Sequence, residues 1–263
     1  MYAYARPHAR ERGVFVAALA ALVALAWLAL ALWGWSPYGR YLNHEELDAV
    51  AHGTADAGAV LPVLLAGWTL MTAAMMLPTS LPLIAMFHTL TRRRPDRLRL
   101  VGLLVAGYLA VWAAFGLVAH LGDLAIHEVV ERNIWLDEHA WIIGAATLLT
   151  AGVYQFTPLK YHCLDQCRSP LGFITAHWRG RRERLHALQL GLRHGLFCLG
   201  CCWSLMLLMF AVGVGSLGWM LALGAVMATE KNLPWGRRLS APLGAALLAW
   251  GTLVALQFLR LPV

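Results

Sequence analysis

Apolar stretches of about 20 residues recur along most of this chain, and no other feature limits its fold so strongly. At a rise of about 1.5 Å per residue, each is long enough as a helix to cross a hydrocarbon layer of roughly 30 Å. Of the 263 residues, 60% are hydrophobic and 13% charged, a balance far from that of a water-soluble domain. The sequence therefore predicts an all-α, polytopic transmembrane bundle of about seven spans, within limits of six and eight, forming a single integral membrane domain over residues 1–263. The expected spans are 13–35, 59–90, 100–121, 139–157, 195–212, 214–229 and 241–259. Pro62, Pro78 and Pro82 predict a kink or break in the second, and the connection at 213–218 is very short. The first run ends in Trp33-Gly34-Trp35 rather than in a small-residue cleavage site, so it reads as a retained helix and not as a secretion signal.

A formal net charge of +7 would suggest nucleic acid as the partner of a soluble protein, but here the charges sort by connection. Residues 1–12 carry +2, 36–57 carry −3, 91–99 carry +4, 122–139 carry −4, 158–194 carry +5 and 229–240 carry +2. Such alternation follows the positive-inside rule. It predicts a multi-pass protein of the cytoplasmic (inner) membrane, with the N-terminus cytoplasmic, the C-terminus outside, the lipid bilayer as its surroundings and no role for nucleic acid. The acidic connections 36–57 and 122–139 are expected as short amphipathic or irregular caps on the outer face.

All five cysteines, Cys163, Cys167, Cys198, Cys201 and Cys202, fall between the fourth connection and the fifth span. The first pair belongs to a basic, cytoplasmic connection, where a reducing compartment disfavours disulfides. The other three stand at i, i+3 and i+4 and share one side of a helix. Met206 and Met209 continue that side; at about 100° per residue, Cys198, Cys202, Met206 and Met209 fall within an arc of about 80°. Thiolate and thioether are soft donors that select Cu(I), while thiolate alone also serves zinc; the mixture points to copper, with zinc as the alternative metal. Met71, Met75 and Met76 of the second span add thioethers, Met71 and Met75 on one face. Cys163 and Cys167 share a face only if their segment, bounded by Pro158 and Pro170, is helical.

Methionine and cysteine also pack as ordinary buried residues, so a purely structural reading of each group stays open. His88 and His194 are candidate auxiliary ligands. His120, His127 and His139 lie with Asp123 and Glu128 on the acidic side, as either a solvated loop or a site for a harder metal. Glu230-Lys231 reads as an internal ion pair or an interfacial anchor.

The motifs resemble a bacterial family of predicted metal-binding integral membrane proteins, some of them described as copper chaperones that accompany polyphenol oxidases such as tyrosinase. The resemblance runs through Met71-Thr72-Ala73-Ala74-Met75-Met76-Leu77-Pro78, Tyr154-Gln155-Phe156-Thr157-Pro158-Leu159-Lys160 with Cys163 and Cys167-Arg168-Ser169-Pro170. It continues through Gly191-Leu192-Arg193-His194-Gly195 and Cys198-Leu199-Gly200-Cys201-Cys202-Trp203-Ser204-Leu205-Met206, and ends at Glu230-Lys231. These motifs cover roughly residues 70–231. The resemblance implies non-catalytic copper handling in support of a client cuproenzyme, with the family's cysteines and methionines carried onto the positions quoted. Gly215-Ser216 stands where the family pattern has Met-Asn, which removes one thioether from that turn. Two rival functions remain at the level of sequence: a membrane thiol-disulfide oxidoreductase exchanging electrons with a quinone, and an assembly subunit whose cysteines only pack.

Overall fold

A computed structural model describes residues 5–35, 57–178, 182–212 and 216–260 of the chain. The expected outer cap at 36–57 lies outside the described residues but for its last position, and the turn at 213–215, with its Gly215, lies outside them altogether. Everything described is helix or short connection: α1 (Ala5–Trp35), α2 (Ala57–Leu90), α3 (Arg97–Glu131), α4 (Ile134–Glu138), α5 (Trp141–Tyr154), α6 (Pro158–Arg168), α7 (Pro170–His177), α8 (Glu183–Val212), α9 (Leu217–Asn232), a 3-10 turn (Gly236–Leu239) and α10 (Ser240–Arg260).

Five of these helices are long and apolar enough to cross a membrane: α1, α2, α3, α8 and α10. A sixth results if α5 and α6, bent by 65° at the intervening turn, make one broken span. The remaining expected span, 214–229, is α9, whose 16 residues reach only about 24 Å at the usual helical rise. Two sequence expectations are corrected. Of the kink or break expected at the prolines, a break is absent, since α2 runs as one helix through Pro62, Pro78 and Pro82. The acidic stretch after residue 121 is not a loop from its start, because α3 continues to Glu131 before the short α4. Likewise the basic connection 158–194 is mostly helical, made of α6, α7 and the first turns of α8. Pro158 sets the start of α6: it occupies the first turn, where no amide donor is needed, and the Thr157 hydroxyl caps the Lys160 amide.

Small residues let the helices approach closely, as in other lipid-embedded bundles. A Cβ at Gly191 of α8 would strike the Leu104 backbone of α3, and one at Gly195 would meet Val111 at 2.9 Å and the Tyr108 carbonyl at 3.2 Å. These contacts advance together along both helices, so α3 and α8 run parallel. Gly152 meets Leu248 while Gly251 meets Leu148 and Leu149, which makes α5 and α10 antiparallel. Trp27 of α1 donates to the Ala74 carbonyl of α2 while Phe15 stacks on His88. The Trp68 indole donates to the Trp112 carbonyl while the Tyr108 hydroxyl donates to the Met76 carbonyl. Both pairs are antiparallel. These relative directions are the ones an alternating chain requires. At one end, Arg94–Glu183 and Arg184–Asp96 ion pairs tie the α2–α3 connection to the start of α8.

Candidate metal centre

The sulfur-bearing face of α8 turns inward. Cys198, Cys201, Cys202, Met206 and Met209 are all buried, in one core cluster with Met71, Met75 and Met76 of α2, Met220 and Met227 of α9 and Cys163 of α6; Cys167 packs against it. Ten sulfur residues proposed as ligands from sequence are thus gathered in a single core. A helix of 3.6 residues per turn makes this possible on α8, and the close α6–α8 contact completes it: the Cys163 sulfur lies directly over Gly200, where a Cβ would sit 2.5 Å from it. The Cys167 thiol is within interaction reach of Cys198 and Cys201. Cys163 and Cys167 are therefore not in a solvated loop; they sit on one face of a helix, Cys163 buried and Cys167 half-buried, and all five cysteines are free thiols.

Within this core the tightest group centres on Cys198. The Tyr108 hydroxyl lies 3.1 Å from its sulfur and the Lys231 ammonium 3.0 Å from it. The same ammonium donates to Thr79 Oγ1 at 3.3 Å and approaches Met76 Sδ and Cys202 Sγ, each at 3.8 Å. Cys202 Sγ is itself 3.8 Å from Met76 Sδ. The Cys201 and Cys202 thiols both donate back to the Cys198 carbonyl, at 3.0 and 2.9 Å. Two thiols and a thioether therefore converge on one cationic nitrogen. Of the α2 methionines, Met76 accepts from the Cys202 thiol, while Met71 and Met75 lie in the same buried cluster and Met75 also borders Gly224 of α9.

Of Glu230 and Lys231, read from sequence as an internal ion pair or an interfacial anchor, Glu230 is in a buried ion pair, but with Lys160 rather than with Lys231. Adjacent helical residues point about 100° apart, and here they enter different environments. The Glu230 carboxylate accepts from Lys160 Nζ at 2.7 and 3.0 Å and from Ser240 Oγ at 2.6 Å. Lys160 also donates to Gln155, and Arg168 to the Glu230 carbonyl. Every acceptor of Glu230 is thus engaged by residues other than its neighbour. Among the described residues, the partners of Lys231 are sulfurs and a hydroxyl, and none is a carboxylate.

Of the histidines, His194 borders the sulfur group, its ring stacked on that of Tyr108 at 5.6 Å between centroids. His88 stacks on Phe15 and His194 bonds Ser80 Oγ at 3.1 Å. On the acidic side His127 bonds the Asp123 carbonyl, His139 the Trp135 carbonyl, and Glu128 pairs with Arg132. Among the described residues no three or more His, Cys, Asp or Glu side chains are arranged to hold a metal ion. The donor set that does converge is different in kind, because its third member is a thioether. Lys231, Tyr108 and Thr79 are the members of the site that spacing did not single out. The signal for Lys231 was present: an i, i+1 pair cannot bond face to face, so one of the two charges had to find another partner.

A family model described as copper chaperone, PpoB2, matches residues 65–254, well over half of the chain and including every sulfur residue named above. Neither a curated protein nor a solved structure matches.

Proposed function

The chain belongs to the PpoB2 family of copper chaperones, and on that premise we propose that it binds Cu(I) inside a membrane-spanning helix bundle and passes it on. The family gives it a copper-handling role without catalysis. Our reading places the metal between Cys198 and Cys202, with Met76 as the third donor. The observation that carries it is the convergence of these three sulfurs on a single buried cation, the Lys231 ammonium. Soft, polarisable donors of this kind suit Cu(I), whereas a structural zinc site would call for four ligands. Cys201 and the α6 pair, Cys163 and Cys167, form the approach to the site; Met71, Met75, Met206 and Met209 offer weaker thioether positions further along the core. Graded strength favours release to a client cuproenzyme such as a polyphenol oxidase.

The charge pattern orients the molecule in the cytoplasmic membrane with 91–99 and 158–194 inside. A single reporter thiol at Arg93, exposed on the α2–α3 connection, should be shielded from an impermeant reagent in intact cells. One at Arg132, also exposed, should react; the reverse pattern inverts the topology.

Metal content after anaerobic purification tests the function. Copper bound under reducing conditions supports a chaperone. A metal-free protein whose cysteines cycle between thiol and disulfide contradicts it and favours the oxidoreductase reading.

A further inference from the structure

The Lys231 side chain is buried, with no carboxylate among its partners, and its Nζ lies within 3.0–3.8 Å of both thiols and the thioether that would receive the metal. The one carboxylate next to it in sequence is taken up by Lys160 and Ser240. A charge buried without a counter-charge costs several kcal/mol, so a lysine kept here has a partner whose charge it balances.

We propose that Lys231 is the built-in counter-cation of the loaded site and selects a monovalent metal over a divalent one. The proposal rests on the Cu(I) reading above. The charge balance is short. Cu(I) held by Cys198 and Cys202 as thiolates, their two protons leaving to water, makes a complex of net charge −1, and the thioether of Met76 adds none. With the Lys231 ammonium beside it, the buried group is neutral. Zn(II) on the same two thiolates is already neutral, and the ammonium then leaves an uncompensated +1 in a low-dielectric core. Thiolates also serve zinc; the lysine adds an electrostatic preference for Cu(I) to that of the soft donors. Metal binding also moves the ammonium from the centre of the sulfur group to its edge, a short swing that the flexible four-carbon stem allows. Tyr108 and Thr79 are placed to receive it, Tyr108 through its contact with Cys198 and Thr79 already at 3.3 Å from Nζ.

The test compares Cu(I) and Zn(II) affinities, by competition against chelators under anaerobic, reducing conditions, in the full-length protein in detergent. Lys231→Leu, uncharged and without a metal donor, should lower Cu(I) affinity and raise Zn(II) affinity, shifting the preference by on the order of tenfold or more, as expected for an uncompensated buried charge. Lys231→Arg keeps the charge and should keep the preference, an outcome that a merely structural role does not require. A folded Lys231→Leu protein with the wild-type preference overturns the inference. The Cu(I) reading then still stands if Cys198→Ser/Cys202→Ser abolishes binding.

Should Lys231→Leu fail to fold, the wild type decides with Ag(I) and Zn(II) as probes. Retention of Ag(I) with exclusion of Zn(II) supports the proposal. Zn(II) bound through these cysteines as tightly as Ag(I) overturns it. A wild type that holds neither Cu(I) nor Zn(II) overturns both this inference and the reading beneath it.

Discussion

Lys160 and Lys231 are the same residue, both buried and both drawn into the packing of α9, yet their surroundings differ in kind. Lys160 meets a carboxylate, an amide oxygen and nothing soft; its partner Glu230 is further held by Ser240. Lys231 meets two thiols, a thioether and a hydroxyl. The first arrangement is complete as it stands, each charge matched by its opposite. The second is complete only if some sulfur carries charge or a further ion enters. On the reading proposed here, that difference separates a structural charge from a functional one without reference to any relative. It teaches that in a membrane core the telling feature of a buried cation is what it is paired with, not that it is buried.

The comparison can be broken first on stability. Lys160→Met leaves Glu230 buried without its counter-charge, and Glu230→Gln does the reverse to Lys160; either should cost about 3–5 kcal/mol, read as a marked drop in the thermal midpoint in detergent. Lys231→Met should cost clearly less, because the thiols and the Thr79 hydroxyl it leaves behind can remain neutral. Equal losses at the two lysines would erase the distinction.

Copper retention sharpens it further. Met76→Leu keeps nearly the same volume, so stability should change by about 1.5 kcal/mol or less, while Cu(I) affinity falls severalfold with the loss of the third donor. An unchanged affinity would remove Met76 from the site. Met206→Leu should have the smallest effect, since Met206 is buried in the same core but has no contact with the Lys231 ammonium. A loss as large as that at Met76 would move the site deeper along α8.

Much of this was legible in the sequence, and for physical reasons. Apolar runs have only a few ways to exist in lipid, so the helices and their alternation followed from length and loop charge. The sulfur stripe on α8 followed from 3.6 residues per turn. What spacing could not reveal was how elements meet. Whether 155–170 is a loop or a bent helix depended on Thr157 and Pro158 as a start signal, and the burial of Cys163 depended on a glycine, Gly200, across the interface. The choice of Met76 over Met71 and Met75 was invisible for the same reason, since all three are buried and only packing against α8 and α9 distinguishes them. The prolines of α2 do not break the helix, as packing against neighbouring helices can support a backbone that an isolated helix would not keep.

The central claim is that Cys198 and Cys202, converging on one point beside Lys231, hold Cu(I). Its most direct test is a Cu(I) competition titration of anaerobically purified wild type against Cys198→Ser/Cys202→Ser, each first shown to be folded and monodisperse. Serine keeps nearly the same size and removes both soft donors, so the account predicts that the wild type takes up Cu(I) tightly and the double variant loses that binding by orders of magnitude. A folded double variant that binds Cu(I) as tightly as the wild type would contradict it and reduce the cysteine cluster to packing.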